Sequence, residues 1–176
     1  MSDITSRKCS LAELNTLSAA DFVARFGGVF EHSAWIAETA AGFRPFKSLD
    51  DLHQMMTALV AKSSPEGQLA LIEAHPDLAG RLAQMGQLTA ESTREQAAAG
   101  LSQADPATRE RINTLNAAYR ERFGFPFIIC ARLNNVATIV GAMEQRLPNN
   151  RETEIHAALA EIYKIARLRL ADLVES

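Results

Sequence analysis

The sequence predicts an all-α fold, a single-domain helical bundle of roughly eight to ten helices. Three observations lead there. Helix start and stop signals recur along the whole chain. Apolar residues between them fall at three- and four-residue spacing, as in Leu52, Met55, Met56 and Leu59. No Asn-Gly or Asp-Gly hairpin and no alternating strand pattern is present.

The elements follow in order. Ser10 to Glu13 is a capping-box pattern, in which the serine caps a free amide and the glutamate reaches back. Ser18 to Asp21 opens a second helix that stops at Gly27-Gly28. A third segment, around Ala34 to Ala41, ends at Gly42. Ser48 opens the next, and Ser64-Pro65 places proline at a first helical position, where its missing N–H costs nothing. That helix runs into His75, because Pro76 disfavours the α conformation in the residue before it. Asp77 can cap a short helix over Leu78 to Gln84. Thr89 or Ser92 starts another, closed by Gly100. Asp105-Pro106 begins a long helix to Phe123, stopped by Gly124. Phe125 to Cys130 is strand-like, but Pro126 demotes it to an extended segment. Asn134 or Asn135 starts a helix ended by Pro148, and Asn149 or Asn150 caps the last. Its apolar stripe is Ile155, Leu159, Ile162, Ile165, Ala166, Leu168 and Leu170.

A chain of 176 residues with no repeat or low-complexity linker fits one domain, 1–176, large enough to bury a core without staples. Its net charge of −3 and lack of a Lys/Arg block argue against nucleic acid or a membrane surface as partner. Cys9 and Cys130 form no C-x-x-C pair, so neither a disulfide framework nor a zinc site is expected, and Cys130 reads as a buried small hydrophobe. The first ten residues lack an apolar signal core, and the longest apolar stretch, Phe125 to Ala131, is too short to span a membrane. A reducing cytoplasm is the expected location.

Four clusters can carry chemistry, and each has a plainer reading. His75-Pro76-Asp77 holds the side chain that titrates near neutral pH at a punctuated turn. The plainer reading is a helix-to-helix turn, with His75 complementing the preceding C-terminus and Asp77 capping the next helix. Ser92, Glu95 and Gln96 share one helix face and offer a hydroxyl, a carboxylate and an amide. Plain capping by Ser92, with Glu95 three residues on, is the alternative. Arg132 closes an apolar extended segment, so its planar fork can hold a carboxylate, and the amides around Ile128 and Ile129 can bind an oxyanion or carbonyl. An ordinary salt bridge to a neighbouring glutamate explains the same arginine. The other histidines, His32, His53 and His156, have no metal-ligand spacing, and His53 and His156 read as surface or rim residues.

Together the clusters resemble the 2-oxo-4-hydroxy-4-carboxy-5-ureidoimidazoline (OHCU) decarboxylase family of purine breakdown. The matching blocks are His75-Pro-Asp-Leu-Ala-Gly80, then Leu88-Thr89 with Ser92, Glu95 and Gln96, then Gly100-Leu101. Tyr119 and Phe123-Gly-Phe-Pro-Phe-Ile-Ile-Cys-Ala-Arg132 follow, and Ser33-Ala-Trp35 lies upstream. A lone HPD would be a weak signal; ordered blocks at this spacing over most of the chain are a strong one. The resemblance implies an all-helical, usually dimeric enzyme with no metal or organic cofactor, acting in urate degradation. Its reaction is loss of CO2 from the ureidoimidazoline to give (S)-allantoin. The family pattern falls on His75 and Glu95 as catalytic groups, on Ser92, Gln96 and Arg132 as substrate-binding groups, and on Pro76 as pocket wall. Physical contact with the preceding hydrolase of the pathway is left open. The rival reading is a non-catalytic helical binding module. HPD also marks J-domain cochaperones, but those need a basic preceding helix, and Pro65 to Ala74 carries Glu66 and Glu73 without Lys or Arg.

Overall fold

Side-chain caps start eight of the nine α-helices that a computed structural model shows among its described residues, 7–80 and 86–175. They are α1 (Leu11–Thr16), α2 (Ala19–Phe26), α3 (Trp35–Ala40), α4 (Leu49–Lys62), α5 (Pro65–Glu73), α6 (Ala90–Ala98), α7 (Pro106–Phe123), α8 (Val136–Arg146) and α9 (Arg151–Leu173). Three short 3-10 turns, Ala41–Phe43, Leu101–Gln103 and Ala131–Leu133, join them. No strand pairs into a sheet among the described residues; a single parallel bridge joins Cys9 and Val174.

The expected boundaries hold closely where caps set them. Ser10 and Glu13 close a complete capping box. Asp105 caps α7, which ends on Gly124 in the left-handed region at φ 81°, where a side chain would be strained. Thr89, rather than Ser92, caps α6. The helix expected over Leu78 to Gln84 lies partly outside the described residues; Leu78 and Ala79 are in a turn.

The contacts group into two compact units. One comprises the chain up to Ala74 with the chain from Tyr163 onward; the other is His75–Ile162. The first packs α2, α3, α4 and α5 in succession. Its core holds Leu14, Phe22, Phe26, Ile36, Leu52, Met56, Val60, Leu71 and Leu170, all essentially inaccessible. A buried ion pair also lies there: Arg169 donates to Glu31 at 2.9 Å. Burying such a pair requires each charge to be fully matched.

The second unit is built on an aromatic cluster. The Tyr119 ring sits 4.5 Å from Phe123 and 5.3 Å from Phe127, edge to face with the latter. Each large side chain so buried contributes about 1.5–3 kcal/mol. The whole extended segment from Phe125 to Cys130 is buried in this unit. Cys130 is buried and forms no disulfide, as expected of a small core residue. At the centre lies a carboxylate that the apolar pattern of α9 did not reveal. Glu154 is 0% exposed and accepts hydrogen bonds from Tyr119 Oη, from Arg146 Nε at 3.0 Å and from Asn149 Nδ2 at 2.8 Å. Burial, then the bond to Glu154, pushes the Tyr119 phenol well above its ordinary range.

Candidate active site

Every sequence-expected site residue belongs to the second unit, so the geometry among them is internal to it. Helix α5 ends at Glu73 with Ala74 as its cap, and His75 follows directly. The imidazole-bearing residue is buried, at 6% exposure, and Pro76 is half-buried.

The His75–Gly80 turn is held from outside at three points. Arg120 Nε lies 3.2 Å from both carboxylate oxygens of Asp77. Asn116 Nδ2 donates to the Leu78 carbonyl at 2.9 Å. Gln96 Oε1 accepts from the Ala79 N–H at 2.9 Å. Asn116 and Arg120 sit four apart on α7 and therefore share a face. Sequence reasoning passed over both; their spacing was the signal available. Asp77 is thus engaged by Arg120, while the Gly80 N–H closes a turn on the Asp77 carbonyl at 3.3 Å. A Cβ on Gly80 would lie 2.7 Å from Asp77 Cβ, so only glycine fits this closure. Ala79 is at φ 48°, a conformation costly for a residue with a Cβ. Gln96 holds it there. We expect Gln96→Leu to strand the Ala79 N–H and to lower unfolding stability by about 1–3 kcal/mol, measurable by urea titration.

Helix α6 presents the second block. Thr89 Oγ1 accepts from the Ser92 N–H at 3.2 Å, so Ser92 occupies the third helical position and is not the cap. The plainer capping role for the Ser92 and Glu95 pair is therefore excluded. Ser92 and Gln96 are buried, and Glu95 is half-buried on the same face. Helix α6 packs against the Ala131–Leu133 turn, which carries Arg132. Two contacts thus join three sequence-distant blocks: Gln96 to Ala79, and α6 to the arginine turn.

The extended segment supplies the third block. Ile128 and Ile129 are buried, whereas Arg132 is exposed at the middle of its 3-10 turn. The burial of the apolar run before it does not extend to the arginine. Burial stops at Ala131, because the turn directs the next two residues outward. Arg146 Nη1 donates to the Ile128 carbonyl at 2.7 Å, and Glu161 Oε2 accepts from the Cys130 N–H at 2.9 Å. Neither Arg146 nor Glu161 was expected from sequence. A separate cavity of about 250 Å³ opens beside α6, lined by Ala79, Leu88, Thr93, Gln96, Leu101 and Arg109 among others. It touches the turn through Ala79 and Gln96 and includes none of His75, Glu95 or Arg132. Among the described residues, no group of three or more His, Cys, Asp or Glu is placed to hold a metal ion.

The family model for OHCU decarboxylase matches residues 15–171, a span that takes in all of these blocks. The chain belongs to the OHCU decarboxylase family. The mouse 2-oxo-4-hydroxy-4-carboxy-5-ureidoimidazoline decarboxylase is 43% identical over 164 residues, covering 93% of this chain and 92% of that protein. The uric acid degradation bifunctional protein PucL of Bacillus subtilis is 42% identical over 94% of this chain, which spans 33% of PucL. Among solved structures, one described as (S)-allantoin synthase superposes with a TM-score of 0.78 at 30% identity. It covers 96% of this chain, which spans 54% of the solved one. Membership in the OHCU decarboxylase family agrees with the all-α architecture, and no described helix is long and apolar enough to cross a membrane.

Proposed function

We propose that this protein decarboxylates 2-oxo-4-hydroxy-4-carboxy-5-ureidoimidazoline to (S)-allantoin in urate degradation, without a cofactor, at a site formed by His75, Glu95, Arg132 and the Ile128–Ile129 backbone. The observation that carries the site is the convergence just described. Gln96 grips the turn that follows His75, and α6, bearing Glu95, packs on the turn bearing Arg132. Family membership supports the activity, and residues 1–176 are taken as one functional domain because the family match runs through both compact units.

The substrate's own chemistry explains why no cofactor is needed. Its carboxylate leaves from a carbon beside a ring C=N. The electron pair of the broken C–C bond forms a new C=C bond, and the imine pair moves to nitrogen, which takes a proton. The ring itself is the electron sink. Loss of the hydroxyl proton and protonation of the former imine carbon then give allantoin. In this reading His75 moves one of these protons, which is general acid–base work. Glu95 orients the imidazole or holds ureido N–H groups. Arg132 and the backbone amides hold carboxylate and carbonyl oxygens. Delivery of the carbon-bound proton to one face sets the S configuration.

The test is circular dichroism in an allantoin band while freshly generated ureidoimidazoline decays. An enzyme builds an optically active signal faster than the spontaneous reaction; a binding module leaves racemic product, and that outcome would overturn the proposal. Exhaustive EDTA treatment is expected to leave the rate unchanged, and recovery of a chelator-inactivated protein on adding zinc or manganese would contradict it.

Arg132→Lys is expected to lower kcat/KM roughly thirtyfold, because an ammonium on a flexible stem cannot hold two substrate atoms as the planar fork does. Glu95→Gln is also expected to impair turnover, since Thr89 already supplies the cap of α6. For both variants an unchanged melting temperature accompanies the loss; a melting temperature that falls in proportion to activity would reassign them to the fold.

The substrate is a small molecule, and the bifunctional PucL supports linkage to another step of urate breakdown. The same reading takes the protein as a cytoplasmic homodimer. Light scattering at micromolar concentration tests the dimer, and a monomeric mass would exclude it.

A further inference from the structure

The segment before Arg132 is gripped on one edge by two charged side chains from different helices. Arg146, in α8, donates to the Ile128 carbonyl at 2.7 Å. Glu161, in α9, accepts from the Cys130 N–H at 2.9 Å. In an extended chain successive residues present their polar groups to opposite edges. The Ile128 carbonyl and the Cys130 N–H lie on one edge, and the N–H and C=O of Ile129 lie on the other. Among the described residues neither group of Ile129 makes a hydrogen bond. Ile129 is 8% exposed, so its polar groups have little access to water. A buried amide left unpaired is costly, which makes it a strong donor for any ligand that reaches it.

The grip is itself braced. Arg146 Nε donates to Glu154, its guanidinium lies 4.4 Å over the Phe127 ring, and Glu154 is fully buried with Tyr119 and Asn149 as further donors. Arg146 therefore cannot move without breaking its buried ion pair with Glu154. Glu161 is only half-buried on α9, so its bond to Cys130 can be removed without opening the core.

We infer that Arg146 and Glu161 are positioning residues that clasp one edge of the Ile128–Cys130 backbone and turn the Ile129 N–H and C=O toward the substrate. This rests on the proposed decarboxylase site and deepens it. The clasp aligns a donor and an acceptor on the same edge, matching an N–H next to a C=O in the ureido or ring amide of the substrate. Such contacts exist in the bound substrate as well as in the transition state, so losing their alignment raises KM more than it lowers kcat.

The test uses Glu161→Ala and Glu161→Gln in the full-length protein. Glutamine keeps an oxygen able to accept from the Cys130 N–H; alanine does not. Glu161→Ala is expected to raise KM about tenfold with kcat within about threefold of wild type, and Glu161→Gln to recover most of the loss. A second readout is independent of turnover. In isotope-labelled wild-type protein the Ile129 amide resonance is expected to shift on addition of (S)-allantoin, and in Glu161→Ala that shift is expected to shrink at the same ligand concentration. Equal losses in the alanine and glutamine variants, an unchanged KM, or an Ile129 amide that ignores allantoin would each overturn the clasp. A wild-type protein that makes no optically active allantoin would instead overturn the decarboxylase assignment, with the Ile129 readout still deciding the clasp.

Discussion

His75→Asn is expected to remove nearly all turnover of the ureidoimidazoline, about 10²- to 10⁴-fold, while leaving the helical circular dichroism of the protein intact. The size follows from the role. A group that moves a proton in the rate-limiting step has no substitute when replaced by an amide that cannot titrate. Constancy of fold follows from the surroundings. The backbone on either side of His75 is held by elements independent of its side chain: the cap of α5 before it, and Arg120, Asn116 and Gln96 after it. Asparagine is the informative replacement because it retains a polar side chain at a residue only 6% exposed. Steady-state rates set beside thermal melts decide the matter. Activity within threefold of wild type would end the catalytic assignment, and loss of helicity would mark His75 as a structural residue of the turn.

Glu154→Ala is expected to cost about 3–5 kcal/mol of unfolding free energy. The carboxylate is 0% exposed and is the common acceptor for Tyr119, Arg146 and Asn149. Its removal leaves the Arg146 guanidinium, whose side chain is 16% exposed, with no opposing charge. It also strands a buried phenol. Urea unfolding followed by far-ultraviolet circular dichroism measures the change. Glu154→Gln keeps an acceptor but not the charge and is expected to fall between the two. A loss below about 1 kcal/mol for the alanine variant would mean that water reaches the cluster and replaces the missing oxygen.

Local structure was legible in the sequence wherever one short-range interaction decides it. Ser10, Ser18, Ser48, Ser64, Asp105 and Asn135 each cap a helix through a side chain three residues from its amide partner. Pro76 ends α5, Gly124 ends α7, and Pro126 keeps the buried Phe125–Cys130 segment out of any sheet. The family blocks around His75, Glu95 and Arg132 were legible for another reason: they are contiguous runs whose order and spacing survive without any structure. Three matters belonged to the tertiary structure. Between Thr89 and Ser92 as cap of α6, two local patterns were equally good, and the packed helix chose Thr89. Arg132 followed an apolar run yet is exposed, because a 3-10 turn reorients the chain after Ala131. Glu154 lies just before the apolar stripe of α9, and Arg146, Asn116, Arg120 and Glu161 look like surface polar residues at their own positions. Their partners lie between 8 and 43 residues away in sequence, at Glu154, Leu78, Asp77 and Cys130. Capping and helix-stop signals act within one helical turn and are written locally, whereas the pairing of a buried charge depends on which distant segment the fold brings against it.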